Sequence, residues 1–401
     1  MGKMSNSSPT VRVETTVFGS SLLLGILLIA ANLRAPITSL GPVLSQVQEY
    51  FGVSSTASGL LNALPLLIFA GVSPLTPWLT RRLGLERALL GALVLIALGC
   101  LVPSAGWYAG LWLGTLSIGA GIAVANVLVV PLVKCDFPGH AALCVGLYAA
   151  TMALMAALAS GIAAPLSGFS NYGWMVSLGV WTLLALIAVV CWWPHAKAAH
   201  PQTAAVASVR RNSVWSSGIA WQVSIFMALQ TMTFYTLIDW FPAMAASGGV
   251  NASQAGAYLF VYQAIAVLAN LGTSAAIKRL DDQRVPGGIC SLTIVVGISG
   301  LLLAPSFSLV WLAFAGVGAG MSMVTCLSLF GLRTRDHHQA SALSAMAQCV
   351  GYGLGACGPF LTGWLHALSG GWELPLVTLV AAACLQVIFA VLAGRNRYVG
   401  E

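Results

Sequence analysis

The chain has 401 residues, 58% of them hydrophobic and only 7% charged, with 17 basic and 10 acidic side chains for a formal net charge of +7. Soluble domains carry about 25% charged residues, so a soluble enzyme, a nucleic-acid-binding module and a disordered chain are excluded. A mean hydropathy of +0.90 calls for a lipid solvent, and spans of about 20 apolar residues fill this length with about a dozen helices.

Apolar runs bounded by Gly, Pro or charge clusters predict twelve spans, at 17–44, 54–80, 86–104, 107–133, 141–167, 172–193, 219–246, 252–277, 285–305, 308–332, 339–367 and 372–394. Runs this long must be helical, because lipid offers no partner to an open backbone. The alternation of a membrane β-barrel, in segments of about ten residues, is absent. The first run could pass for a signal peptide, with Lys3 and Arg12 before Leu22-Leu23-Leu24 and then Ala30-Ala31. The eleven spans that follow make it an uncleaved helix.

Helix one carries Arg34, the only basic residue placed inside the membrane, in Asn32-Leu33-Arg34-Ala35-Pro36-Ile37-Thr38. An arginine near a helix centre costs at least about 2.5–3.5 kcal/mol and faces a cavity or a partner. Pro36 has no N–H for the carbonyl of Asn32, so the helix should kink and free an acceptor. Thr38 follows one turn later on the face of Arg34. A guanidinium offers five donors in a planar fork, suited to a small planar anion or an oxygen-bearing ligand. Arg34, with Asn32 and Thr38, is therefore the candidate substrate anchor. The competing reading is a structural arginine bonded to nearby carbonyls or snorkelling outward.

Further along, Asn62 precedes Pro65 in helix two and Asn126 lies in the middle of helix four. Tyr148, Thr151 and Met155 share a face of helix five. Helix seven aligns Thr231, Tyr235 and Asp239 at i, i+4 and i+8. Asp239 is the only acidic residue within a predicted span beyond its first turn, just before Trp240-Phe241-Pro242. It is a candidate for proton coupling, although its place near the helix end favours a solvated residue at the outer mouth. Tyr258 and Tyr262 share a face of helix eight, and Gln348 and Tyr352 a face of helix eleven. Such groups line a cavity or bond between helices, worth about 0.6 kcal/mol on average. The nine cysteines include no C-x-x-C, so neither zinc nor a disulfide framework is indicated. No H-E-x-x-H, G-x-S-x-G or intramembrane aspartate pair appears, which leaves an intramembrane enzyme without a catalytic group. No cofactor is expected.

Sixteen of the 17 basic residues, all but Arg34, fall on one side of this topology; the opposite loops carry only Glu49 and Glu373. Both termini are therefore expected in the cytoplasm. The positive charge would meet anionic lipid headgroups and implies no nucleic-acid partner. The expected organisation is a cytoplasmic N-terminus (1–16), a six-helix bundle (17–193), a cytoplasmic linker (194–218), a second six-helix bundle (219–394) and a cytoplasmic C-terminus (395–401).

The halves repeat at a shift of about 199 residues. Trp112-Leu113 maps onto Trp311-Leu312, Gly119-Ala120-Gly121 onto Gly318-Ala319-Gly320, and Lys134 onto Arg333. Pro42 with Pro242 and Gly173-Trp174 with Gly371-Trp372 agree within one residue of that offset. Parallel six-helix repeats place a substrate site near midplane between the halves.

These motifs carry a resemblance that covers essentially the whole chain. Asn32-Leu33-Arg34 with Ile37-Thr38-Ser39-Leu40-Gly41-Pro42, Leu64-Pro65-Leu66, Lys134-Cys135-Asp136-Phe137-Pro138, Trp240-Phe241-Pro242 and Ala342-Leu343-Ser344-Ala345-Met346-Ala347-Gln348 with Gly351-Tyr352 resemble the cyanate porter family of the major facilitator superfamily. The chain looks nearer the 2-nitroimidazole branch than the cyanate branch. The resemblance implies an all-α major facilitator fold with twelve transmembrane helices in two six-helix halves. It assigns Arg34 to the family's first-helix arginine, Gln348 and Tyr352 to its helix-eleven motif, and Tyr235 to a tyrosine-rich stretch. Because helices five, eight and eleven flank the cavity in that architecture, Tyr148, Tyr262, Gln348 and Tyr352 rank highest as lining residues. Two departures stand out. Arg81 replaces the aspartate that usually opens the loop between helices two and three, and Asp239 stands where a small residue is expected.

The expected function is secondary transport by alternating access, in a bacterial inner membrane, by a monomer in lipid. No Walker motif appears, so ATP is not the direct energy source. A lone positive charge in a low-dielectric cavity favours an anionic or strongly dipolar planar solute and disfavours lipophilic cations. Tyr148, Tyr235, Tyr262 and Tyr352 would stack on it or hydrogen-bond to it, Gln348 would orient it, and protons are a candidate coupling partner. A proton-driven exporter of drugs or metabolites, and a non-transporting receptor or scaffold, are the alternatives.

Overall fold

The computed structural model describes residues 21–137, 141–169, 173–198, 212–277, 282–335 and 337–400. The expected N-terminal segment 1–16, residues 199–211 of the expected linker, and His140, Lys278 and Arg279 lie outside them.

Among the described residues every regular element is helical, as a lipid solvent requires. The first half holds α1 (Ser21–Asn32), α2 (Ser55–Val72), α3 (Leu85–Leu101), α4 (Tyr108–Asp136), α5 (Ala141–Ser167) and α6 (Gly173–Ala198). The second holds α7 (Gly218–Ser247), α8 (Ala252–Ile277), α9 (Arg284–Leu303), α10 (Ser308–Leu332), α11 (His337–Gly355) and α12 (Glu373–Ala393). Among the described residues ten spans are long and apolar enough to cross a membrane by length and composition. The remaining two complete the expected twelve: α7 is diluted by Gln, Thr and Asp, and α11 is interrupted at Ala356 and resumes as Cys357–Ser369.

The break expected in the first span is present. α1 stops at Asn32, and a single turn, Ala35–Thr38, begins again with Pro36 in its first turn, where a missing N–H costs nothing. A 3-10 turn at Gly41–Val43 and a helix at Leu44–Phe51 finish the span. Ser54 then caps α2 by accepting from the Ala57 amide at 3.3 Å.

The ends carrying Arg82, Arg87, Lys197, Arg284, Arg333 and Arg335 form a basic end; Glu49, Gly106 and Glu373 mark the opposite, non-basic end. Without a hydrophobic drive between helices in lipid, close packing of small residues supplies the contact energy. The close backbone approaches between the halves gather toward the non-basic end. Gly41 lies against the backbone of Ile238 and Asp239, Gly59 against Pro359 and Phe360, Gly256 against Ser160, and Gly363 against Ser55. An apolar cluster that joins Leu40, Val43, Leu61 and Trp174 of the first half to Trp240 of the second seals the same end. The Trp240 indole donates to the Pro359 carbonyl at 3.0 Å.

Arg333, grouped with the loop cations that meet headgroups, is instead only 2% exposed. Its guanidinium donates to the carbonyls of Ala393 at 3.0 Å and Gly394 at 2.8 Å and to Gln283 Oε1. It thus fastens the end of α10 to the start of α9 and the end of α12, satisfying carbonyls those termini leave open. Burial lowers its pKa from the usual arginine value, opposed by Asp282 and Tyr398.

Candidate functional site

Arg34 occupies the break in the first span, at φ −125° and ψ −38°, and its carbonyl accepts from the Ile37 and Thr38 amides of the next turn. Its side chain is half-buried, and its guanidinium donates to the hydroxyl of Tyr235 on α7. The guanidinium carbon also lies 5.4 Å from the Tyr235 ring centroid and 5.8 Å from that of Phe234, within the range of cation–π attraction. The phenols of Tyr235, Tyr352 and Tyr148 are all within electrostatic reach of it. A cation from the first half thus meets tyrosines from α5, α7 and α11, with both halves contributing. Among the described residues this hydrogen bond uses one of the guanidinium's five donors.

The other expected residues divide by what they touch. Tyr148 is buried and donates to Asn126 Oδ1 at 3.1 Å, which links α5 to α4 beside the arginine. Tyr352 packs edge-on against Phe69 of α2, centroids 5.4 Å apart. Gln348 is half-buried one turn before Tyr352 and donates to Ser344 at 2.9 Å. Thr38 is fully buried and bonds to the carbonyls of Arg34 at 3.1 Å and Ala156 at 3.2 Å, so its hydroxyl ties the broken turn to α5. Asn32 donates to Leu28 and Leu184 carbonyls, joining α1 to α6, while its own Oδ1 has no partner. Tyr262 packs on Phe234 with centroids 6.0 Å apart, deep in the apolar core of the second half. Phe234 and Phe69 were not singled out in the sequence. Phe69 follows Pro65 by four residues on the face of Asn62, which was the available signal.

Asp239 is not the solvated mouth residue that its sequence position favours. It is 2% exposed, and its Oδ2 has no hydrogen-bond partner. The cause is tertiary: the Gly41–Val43 turn crosses over α7 and lays Gly41 on the backbone of Ile238 and Asp239. Asn62, 4% exposed, likewise has neither amide atom partnered. The two line one cavity of about 30 Å³ with Pro36, Leu40 and Thr115.

Comparison with known proteins gives the family and the fold. The family model of the Major Facilitator Superfamily matches residues 22–356. The uncharacterized transporter YycB of Bacillus subtilis (strain 168) is 39% identical over 381 residues, 94% of each chain. The 2-nitroimidazole transporter of Escherichia coli (strain K12) is 36% identical over 377 residues, covering 94% of this chain and 96% of that one. Among solved structures, a bacterial homologue of the human lysosomal transporter Spinster, inward-facing and unoccupied, superposes with a TM-score of 0.78 at 14% identity, covering 95% and 98% of the two chains. That likeness shows the fold alone.

Proposed function

The chain belongs to the major facilitator superfamily and is a multi-pass membrane transporter, not an enzyme; from that premise we propose that it moves a small anionic or strongly polar planar solute, held by Arg34. The observation that carries this reading is the half-buried guanidinium at the helix break, with one donor engaged by Tyr235 among the described residues and the phenols of Tyr148 and Tyr352 within electrostatic reach. A charge in this setting is costly, and an anion or a nitro or carboxylate group supplies what the tyrosine leaves unmet. Charge-assisted, two-pronged bonds to such oxygens are among the strongest that a side chain makes. The rings of Tyr235 and Phe234, set edge to face at 87°, add aromatic surface for a planar solute. The E. coli relative is named for 2-nitroimidazole, a planar ring bearing two nitro oxygens, which is this class of ligand.

Two bundles, 17–193 and 219–394, joined by the linker 194–218, rock about this site. The tails 1–16 and 395–401 and the basic end face the cytoplasm of a bacterial inner membrane. Asn126 braces Tyr148, Thr38 and Asn32 brace the broken span, Gln348 and Tyr352 orient the solute from α11, and Tyr262 backs Phe234. A thermal-shift screen of cyanate, 2-nitroimidazole and other small anions against the wild type and Arg34→Ala tests it. Ligands that stabilise the wild type should lose their effect on the variant; equal stabilisation of both removes the arginine from the site.

A further inference from the structure

The group that the solute site leaves unexplained is Asp239. It sits one turn beyond Tyr235 on α7, buried, with a bare carboxylate oxygen facing the cavity it shares with Asn62. The remaining polar group of that lining, the Thr115 hydroxyl, is already donated to the Leu111 carbonyl at 2.8 Å. A cavity needs about 10–15 Å³ and two or more polar partners to hold a water, and this one offers about 30 Å³ and three unpartnered side-chain atoms. Its walls come from both halves: Pro36, Leu40, Asn62 and Thr115 from the first and Asp239 from the second. Parting the halves at the non-basic end therefore opens the chamber, and seating Gly41 on Asp239 closes it.

We propose that Asp239 and Asn62 form a proton-binding chamber, bridged by one water, and that the non-basic end seals only when Asp239 carries a proton. An ionised carboxylate taken out of water without a cation costs several kcal/mol even after relaxation. The groups facing it supply no cation. Asn62 and Thr115 do not titrate, Tyr235 is neutral and accepts from Arg34, and the rim carboxylates Glu49 and Glu373 are exposed. His366 stacks on Trp372, which packs on Trp240. The neutral acid fits instead: its O–H donates to the water, and the water donates to Asn62 Oδ1. The proton comes from bulk water while the end is open, as hydronium gives it to the carboxylate. It leaves as a new hydronium, along the α7 stripe past Tyr235, when the basic end opens. Closure with an anion on Arg34 then carries no net charge, a consequence that rests on the solute reading above.

Backbone hydrogen–deuterium exchange of 55–62 and 235–242 in the full-length, solute-free protein tests the seal, with intrinsic rates corrected for pH. Exchange should slow by up to about tenfold for each pH unit lowered through the titration, the limit for one linked proton, and Asp239→Asn should stay slow throughout. No pH response in the wild type, a response retained in Asp239→Asn, or control by sodium rather than pH overturns the proposal. The wild-type arm stands even if the variant fails to fold. In proteoliposomes, one unit of pH gradient should hold about tenfold accumulation of 2-nitroimidazole, the ratio equivalent to 1.36 kcal/mol. Asp239→Asn should exchange it to a ratio of about one; continued gradient-driven accumulation by that variant also overturns it. Failure of the wild type to move 2-nitroimidazole refutes the solute reading and leaves the exchange arm intact.

Discussion

Gly59→Ala puts one methyl group into the seam between the halves. Its Cβ would stand 2.7 Å from the Pro359 carbonyl oxygen, 3.1 Å from that of Phe360 and 3.2 Å from the Phe360 Cα. These are backbone atoms, which cannot rotate away. Ordinary contact begins at 3.4 Å, so α2 and the Cys357–Ser369 helix must part by about 0.7 Å. Overpacking of this kind costs about 1–3 kcal/mol, which lowers the population sealed at the non-basic end by about 5- to 150-fold. Gly71→Ala, on the same helix, is the control, because its Cβ would meet nothing within 4 Å. Both changes gain the same helix propensity, up to about 1 kcal/mol, so the difference between them isolates the seam. Amide exchange at 355–363 should accelerate in Gly59→Ala alone, and solute exchange in proteoliposomes should slow. Matching exchange and transport in the two variants would refute the idea that these glycines close the transporter.

Three further outcomes follow from the same geometry. Tyr235→Phe keeps the ring beside Arg34 but removes the acceptor, and a hydrogen bond to a charged group is worth at least about 1.5 kcal/mol; solute affinity by titration calorimetry should fall about tenfold, and an unchanged Kd would deny the hydroxyl a part in holding the guanidinium. Arg333→Ala strands the Ala393 carbonyl, at about 1–3 kcal/mol for a buried acceptor, and removes one bond each from Gly394 and Gln283. Its melting temperature in detergent should drop by many degrees while the exposed control Arg397→Ala melts like wild type; equal melting would show that the Arg333 lock contributes nothing. A fluorescent protein fused after Glu401 should glow and an alkaline phosphatase there should be inactive if the bias of loop Lys and Arg sets the basic end in the cytoplasm; an active phosphatase would invert the topology.

The spans, the twofold repeat and the membrane solvent were legible because hydropathy and loop charge act locally along the chain. The break at Arg34 was legible too, since Pro36 removes a donor wherever it falls. The comparable break at Ala356 was overlooked although Pro359 denies a hydrogen bond to the Gly355 carbonyl in the same way. What could not be read was burial imposed from afar. Asp239 looked like a mouth residue because nothing near it in sequence reveals that Gly41 will lie on its backbone. Arg333 looked like a headgroup contact because its acceptors, Gln283 and Ala393, are 50 and 60 residues away. The aromatic partners of Arg34 were half visible: Tyr235 stood out by its spacing from Thr231 and Asp239 on α7, whereas Phe234 adjoins it on another face and joins the site only through the helix packing.

The most direct test is calorimetric titration of the strongest ligand from the anion and azole screen into wild type, Arg34→Lys and Arg34→Ala. Loss of charge-assisted bonds worth about 1.5–3 kcal/mol should weaken binding about 10- to 150-fold in Arg34→Ala. Arg34→Lys should recover only part of that, because an ammonium lacks the planar fork. Equal Kd values across the three proteins, with all three folded, would contradict the account of Arg34 as the solute's anchor.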